Sequence, residues 1–537
     1  MRHLFLAAAA LVAAPALAQG PAKQPKLIVA ISVDQLSADL YNAYRPHFTG
    51  GLKQLAERGV VFANGYQSHA ATETCPGHST LLTGRHPAAT GIVANNWIDQ
   101  AAAREDKNVY CSEDERVAGS SSKAYTVSPE HLKVSTLGDR MKAADPRSRN
   151  VAVAGKDRAA IMMGGRTVDQ RWYWDGKAWT SDKQGAVPPK SVVGVRGVSA
   201  QLFASAQEPL EVPALCQARA TPYQVTATMS VGNGRFDRAA GDQRAFRTTP
   251  QFDSLTLALA ANLIREMQLG QGPASDLISI GLSATDYIGH SYGWGGQEMC
   301  LQMLNLDRDL EGFLAQLDQS EVDYAVVLSS DHGGQDAVER LRAGGNLQAV
   351  RADPGLSPSE MGKLMAPQLG LSGPVLFGDG VSGDFWLDRA IPAKDRPRVL
   401  AEAIRRYKAH PQVETVFTAA EVMKTDLPTG DPSGWSLMQR VRASFDPARS
   451  GDFYVVLKQG VSTVARPGPG YVASHGTVWD YDRRVPILFM APGVQPAAPT
   501  AAADTVDILP TVASWIGLKL APGSVDGRCR SEAATCR

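Results

Sequence analysis

Three observations predict an α/β fold with a mostly parallel central sheet, helices on both faces and inserted cap segments. Apolar, β-branched runs recur at residues 26–33, 150–154, 277–282, 324–330, 453–457 and 485–490. Amphipathic helical periodicity lies between several of them, which is the pattern of buried strands alternating with crossover helices. Asp34, Asp331 and the segment around Asp286 each follow directly on a β run, the edge where sheets of this class hold ligands.

The elements can be justified in chain order. Residues 1–18 read as a removable export signal. Arg2 gives a basic start, residues 4–18 are apolar, and Ala16-Leu17-Ala18 is a small-residue cleavage site before Gln19. The run is shorter than the roughly 20 residues that span a bilayer, and no cysteine follows the cleavage site to carry a lipid. The mature chain, residues 19–537, is expected to be one catalytic domain, periplasmic or secreted, with no membrane span. Met299, Met303, Leu306, Leu310, Phe313 and Leu317 recur every three or four residues and predict a long helix with one buried face. Two stretches read differently. Residues 164–249 are rich in Gly, Trp, Gln and Val, and residues 336–469 mix short β and helical patterns with Pro and Gly. Both are expected to be cap insertions over the ligand-bearing edge of the sheet.

Basic and acidic residues balance at 54 each among 537 residues, and no basic run appears, which argues against a nucleic-acid-binding face. Six cysteines in an exported chain point to disulfides. Their pairing stays open. Cys529 with Cys536 would close a small loop in the tail, Cys75 with Cys111 would brace the segment around Thr74, and Cys216 with Cys300 would then remain.

Seven residues carry the chemistry. Asp34 closes L-I-V-A-I-S-V-D, Thr74 lies in T-E-T-C-P-G-H-S-T, Asp286 and His290 form D-Y-I-G-H, Asp331 and His332 open D-H-G-G, and His475 lies in S-H-G-T. Carboxylates, imidazoles and one hydroxyl in these numbers suit two zinc ions and a nucleophile. Asp286 and His290 are spaced to share one face of a helical turn, and His475 would complete three protein ligands with one open position. Asp34, Thr74, Asp331 and His332 would complete the second site. Each motif taken singly is weak, since a helix surface pair, a capping aspartate or a loop histidine explains it; their occurrence together after β runs is what points to metal-assisted phosphoryl transfer. His47, His69, His86, His131 and His410 lack such settings and read as surface or packing residues, and His78 as a residue that orients the Thr74 segment without ligating.

Pro76 favours a first helical turn, so Thr74 is expected at a helix N-terminus, where backbone N–H groups and the dipole favour an anion. The plain alternative is an N-cap threonine, and Thr72 is the nearest competing nucleophile. Asn95, after G-I-V-A, carries an amide able to donate to a phosphoryl oxygen. Lys156 and Arg158, in A-G-K-D-R after a β run, would reach the same anion, the arginine as a planar fork and the lysine as a point charge.

Over nearly the whole mature chain, these motifs in this order resemble the alkaline phosphatase superfamily, in particular its periplasmic threonine-nucleophile alkaline phosphatases, close to the nucleotide pyrophosphatase/phosphodiesterases. The resemblance implies Asp286, His290 and His475 on one zinc, and Asp34, Thr74, Asp331 and His332 on the other. It also implies Asn95, Lys156 and Arg158 as phosphoryl contacts, assisted by a backbone N–H near Cys75. No third, magnesium site is implied, its charge being supplied by Lys156. The implied reaction is hydrolysis of small-molecule phosphate monoesters by a monomer through a phosphothreonine on Thr74. A phosphodiesterase or nucleotide pyrophosphatase on the same metal core is the alternative, and lacks the Lys/Arg pair. A sulfatase does not fit, because Cys75-Pro76-Gly77 departs from the C/S-x-P-x-R motif that formylglycine formation requires.

Overall fold

The computed structural model describes residues 23–183, 185 and 187–536. The expected signal segment, residues 1–18, lies outside them. Nine strands form the central sheet: β1 (Leu27–Val33), β2 (Val60–Tyr66), β3 (Asn150–Ala154), β4 (Gln170–Trp174), β5 (Trp179–Thr180), β6 (Asp276–Leu282), β7 (Tyr324–Ser329), β8 (Arg484–Met490) and β9 (Ala503–Asp504). Their order across the sheet is β9-β2-β8-β7-β1-β6-β3-β4-β5. The run from β7 through β1, β6 and β3 to β4 is parallel throughout, whereas β8 runs antiparallel to both β7 and β2.

The sequence of β1 shows why the sheet is covered twice. All seven of its residues are buried, as expected of a parallel strand packed on both faces. Leu27, Val29, Ile31 and Val33 join one apolar cluster, and the alternate Ile28 and Ala30 join another. Successive side chains point to opposite faces of a strand, so these two clusters are the two faces of the sheet. Helices Pro250–Glu266 and Gln297–Gln319 pack on the first face through Leu255, Leu259, Leu306 and Leu310. Every member of the predicted stripe Met299, Met303, Leu306, Leu310, Phe313 and Leu317 is buried. Helices Thr74–Thr83, Leu137–Ala144 and Ile508–Trp515 cover the second face through Leu81, Leu137 and Leu509.

Of the six predicted β runs, five lie in the central sheet. The sixth, Phe453–Leu457, belongs to a second, four-stranded sheet with Leu376–Phe377, Gly383–Leu387 and Val413–Thr418. That sheet has its own core, in which Phe385, Phe453 and Val455 pack against Val399 and Tyr407 of helix Arg396–Ala409. The expected start of the first insertion, residue 164, closes helix Asp157–Gly164, which connects two strands of the central sheet. Strands β4 and β5 follow it and extend that sheet at one edge. In Q-R-W-Y-W the apolar positions are aromatic and flanked by Gln and Arg, which hides a strand whose Arg171 and Trp172 are both almost fully buried. Helix Lys190–Ala204, a hairpin of Tyr223–Thr226 with Met229–Val231, and helix Gln243–Arg247 fill the remainder of that stretch.

Three disulfides join Cys75 to Cys111, Cys216 to Cys300 and Cys529 to Cys536. Such bonds persist in an oxidising compartment. Among the described residues, no helix is long and apolar enough to cross a membrane.

Candidate active site

The site lies beyond the carboxyl ends of four adjacent parallel strands, β7, β1, β6 and β3. Asp34 follows β1, and Asp331 and His332 follow β7 after one residue. Asp286 and His290 sit on helix Ala284–Tyr292, which begins just after β6. Lys156 is the N-cap of helix Asp157–Gly164, entered from β3, and Arg158 is on its first turn. Thr74 opens helix Thr74–Thr83. Asn95 and His475 come from loops.

Two sets of side chains bring their donor atoms within 4.8 Å of one another: Asp286, His290 and His475, and Asp34, Asp331 and His332. In the first, His290 Nε2 lies 3.2 Å and His475 Nε2 3.5 Å from Asp286 Oδ1. In the second, His332 Nε2 lies 3.2 Å from Asp331 Oδ2 and 3.5 Å from Asp34 Oδ1. The two sets adjoin, the rings of His332 and His475 being stacked 3.6 Å apart. Lys156 Nζ joins them, 2.6 Å from Asp34 and 2.5 Å from Asp286.

Several features fit these sets to divalent cations. The Nδ1 atoms of His290, His332 and His475 each lie 2.8 Å from a backbone carbonyl, of Ala473, Gly333 and Thr72 respectively. That contact places the ring proton on Nδ1 and leaves the Nε2 lone pair directed at the carboxylates, the usual arrangement of a metal-ligating histidine. Asp34 Oδ1 and His332 Nε2 are buried without a hydrogen-bond partner, a costly state for a polar atom. Burial drives the His332 ring down to about 3 and also lowers His475, so both are neutral, as a ligand must be. Burial pushes Asp34 well above the usual carboxylate range, and the charges of Asp286 and Asp331 push it further against the pull of Lys156. Burial acts the same way on Asp286 and Asp331. There it is outweighed, by His290 and Lys156 for the former and by His332 and His78 for the latter, and both are lowered. Three crowded carboxylates with one lysine between them leave negative charge over.

Around Thr74 the packing is close. A Cβ on Gly77 would stand 1.9 Å from the carbonyl oxygen of Asp331, so only glycine lets this helix approach the second set. His78 Nδ1 lies 2.9 Å from the Thr74 carbonyl and 3.1 Å from Asp331 Oδ2, tying the helix to that carboxylate as an orienting residue. Arg158 Nη2 is 3.4 Å from Thr74 Oγ1. The Thr72 hydroxyl, by contrast, donates to the Thr477 carbonyl at 2.7 Å and is committed to structure. The Cys75 N–H expected to face substrate is also occupied, donating to Asn95 Oδ1 at 2.8 Å. This contact fixes the amide so that its NH2 end is the free donor.

Gln35 and Glu73 were not singled out from sequence. Gln35 takes φ +67° immediately after Asp34. Its backbone N–H donates to Asp331 Oδ1 at 3.1 Å, and its side chain to Asp286 Oδ1 at 3.0 Å, so one residue spans both sets. A Cβ on Gly289, the glycine of D-Y-I-G-H, would stand 1.7 Å from the Gln35 side-chain oxygen, which explains the glycine. Glu73 accepts the Asn95 N–H at 2.6 Å; burial, reinforced by Asp379, holds its carboxyl up at about 7. Direct adjacency to Asp34 and Thr74 was the one signal available for either.

Comparison with known proteins agrees with this fold. The chain is 51% identical to alkaline phosphatase PhoK of Sphingomonas sp over 95% of its length and 91% of the relative's. It is 46% identical to alkaline phosphatase PhoD of Zymomonas mobilis, over 97% and 91%. The crystal structure of alkaline phosphatase PafA superposes with a TM-score of 0.83 at 26% identity, covering 96% of this chain and 100% of the other. The profile of the type I phosphodiesterase / nucleotide pyrophosphatase family matches residues 28–478. The chain therefore belongs to the type I phosphodiesterase / nucleotide pyrophosphatase family, within the alkaline phosphatase superfamily.

Proposed function

We propose that the protein is a zinc-dependent phosphate monoester hydrolase, an alkaline phosphatase that works through a phosphothreonine on Thr74. The observation that carries this reading is the pair of adjoining carboxylate–imidazole sets, one of them packed against the helix that Thr74 opens, with the Arg158 guanidinium 3.4 Å from the Thr74 hydroxyl. The names of the relatives, alkaline phosphatases PhoK and PhoD, support the same activity here.

Asp286, His290 and His475 would hold one zinc, and Asp34, Thr74, Asp331 and His332 the other. When bound, the two ions would lower the pKa of the Thr74 hydroxyl and of a water, and offset charge on the entering and leaving oxygens. Thr74 Oγ attacks phosphorus, the bond from phosphorus to the ester oxygen breaks, and the alcohol departs. Water then attacks the phosphothreonine, the Thr74 ester bond breaks, and phosphate leaves. Arg158 grips non-bridging phosphoryl oxygens as a fork, the Asn95 NH2 donates to one of them, and the Lys156 charge offsets the anion from between the two carboxylates. Residues in the 164–249 and 336–469 stretches would cap the site. The expected setting is a monomer in the periplasm or outside the cell.

A second reading, phosphodiesterase, is favoured by the description of the matching family. A diester puts a neutral substituent where a monoester has a charged oxygen, and Arg158 and Lys156 favour the charge. The decisive measurement is kcat/KM of the zinc-loaded protein on an aryl phosphate and on its methyl diester. A monoester preference of at least about 100-fold is expected from the loss of one charge-assisted contact and its partner. A diester preference would move the protein to the phosphodiesterases.

A further inference from the structure

A cavity of about 320 Å³ opens beside His290 and His475, and Lys156 and Arg158 are not among its lining residues. Glu73, Asp379 and Asp384 line it together with Trp386, Tyr454 and Tyr471. None of the three carboxylates has a lysine, arginine or histidine within ion-pair distance among the described residues. Each accepts a neutral donor: Glu73 the Asn95 N–H at 2.6 Å, Asp379 the Asn96 amide at 3.3 Å, and Asp384 the Gly451 N–H at 2.8 Å. Three carboxylates thus gather beside the metal-ligand set with no ion-pair partner, Arg158 acting on Glu73 only at longer range.

The aromatic residues are placed to complete a receptor. Strands Gly383–Leu387 and Phe453–Leu457 pair so that Asp384 stands directly opposite Tyr454. Phe385 and Phe453 turn into the core of the second sheet, so the alternate Asp384, Trp386 and Tyr454 turn toward the cavity. Tyr454 is only 5% exposed, and its hydroxyl has no hydrogen-bond partner among the described residues. Tyr471 lies over His290, ring centroids 5.2 Å apart, at the join between cavity and metal-ligand set.

A bare metal ion does not suit this arrangement. The three carboxylates do not converge as the two metal-ligand sets do; those two are the ones present among the described residues. Dispersed carboxylates with aromatic faces suit a larger, weakly hydrated cation, which aromatic rings attract through their quadrupoles.

We propose that the cavity receives a leaving alcohol that carries an amine cation, so that the preferred substrates are phosphate monoesters of amino alcohols. This rests on the phosphatase reading. The test compares kcat/KM for phosphocholine with that for 3,3-dimethylbutyl phosphate, in which carbon replaces the charged nitrogen. The cationic ester is expected to be favoured by at least about tenfold. Asp379→Asn and Asp384→Asn are expected to pull that ratio toward one, and added salt to do the same. Equal kcat/KM for the two esters, with both hydrolysed, overturns the proposal and leaves the phosphatase reading standing. Hydrolysis of neither ester nor of an aryl phosphate overturns both. Inhibition of aryl phosphate hydrolysis gives a reading on the unaltered protein: choline is expected to inhibit at lower concentration than 3,3-dimethylbutanol, and the reverse order counts against the cavity.

Discussion

The flank holding Lys156 and Arg158 is built from the central sheet, whereas the flank holding Asp379 and Asp384 is built from the second sheet and its loops. On the first flank the lysine and the aspartate are anchored, while Arg158 meets only hydroxyls. Lys156 meets Asp34 and Asp286, and Asp157 accepts the hydroxyls of Tyr110 and Tyr125 at 2.8 and 2.9 Å. Tyr110 OH in turn lies 3.4 Å from Arg158. Such a flank is set for one fixed anion. On the second flank the carboxylates have only neutral donors, and burial holds Asp384, like Glu73, up at about 7. On the functions proposed above, the contrast separates a part that would handle the phosphoryl group, common to every substrate, from a part that would handle what the phosphoryl group is attached to.

The largest effect is expected at the proposed nucleophile. Thr74→Ala should lower kcat by about 10⁴-fold or more, the scale seen when a nucleophile is removed, with unchanged circular dichroism and no protein-bound phosphate after acid quench. Substantial residual turnover would mean that both flanks surround the wrong atom. Next comes the basic flank. Lys156→Ala with Arg158→Ala should lower monoesterase activity by about 100-fold more than diesterase activity, since charge-assisted contacts to the third phosphoryl oxygen are lost. Equal loss on both substrates would break the contrast, because those charges would then serve the metal-ligand sets rather than the anion.

The basic flank was legible in the sequence and the acidic flank was not. Asp34, Lys156, Asp286 and Asp331 each stand a few residues beyond an apolar run, and in a parallel sheet the ends of adjacent strands meet. Local pattern alone therefore brought them together. Strand β2 escaped notice because V-V-F-A-N-G-Y breaks its apolar run with Asn-Gly, a turn signal that neighbouring strands override here. Glu73 and Asp384 lie far apart in sequence and meet only through the docking of the second sheet, which no periodicity encodes. Gln35 owes its role to a backbone in the left-handed region, rare for a residue other than glycine. The occupied Cys75 N–H follows from the direction of one amide, and a sequence carries no such information.

A smaller effect sharpens the contrast from the far end of the helix that Thr74 opens. Just past that helix, His86 lies 3.2 Å from Asp504 and 3.2 Å from Asp526, and 2.9 Å from the Ser68 hydroxyl. Burial opposes its protonation, but hydrogen bonds to the two carboxylates outweigh burial and raise the ring to about 9. Here carboxylates and cation are matched within the protein, as they are not on the acidic flank. An unfolded histidine titrates near 6.5. Below that pH both states hold the proton and the full contribution of the ion pairs is present. As pH rises from about 6.5 through about 9 the unfolded chain loses its proton first, and the contribution, roughly 3 kcal/mol, is lost. Urea midpoints of the wild type and His86→Gln should therefore differ most near pH 6 and converge above pH 9. A gap that stays constant across that range would mean that His86 stabilises the fold by packing alone, and the matched ion pairs would no longer stand as the counterpart of the unmatched flank.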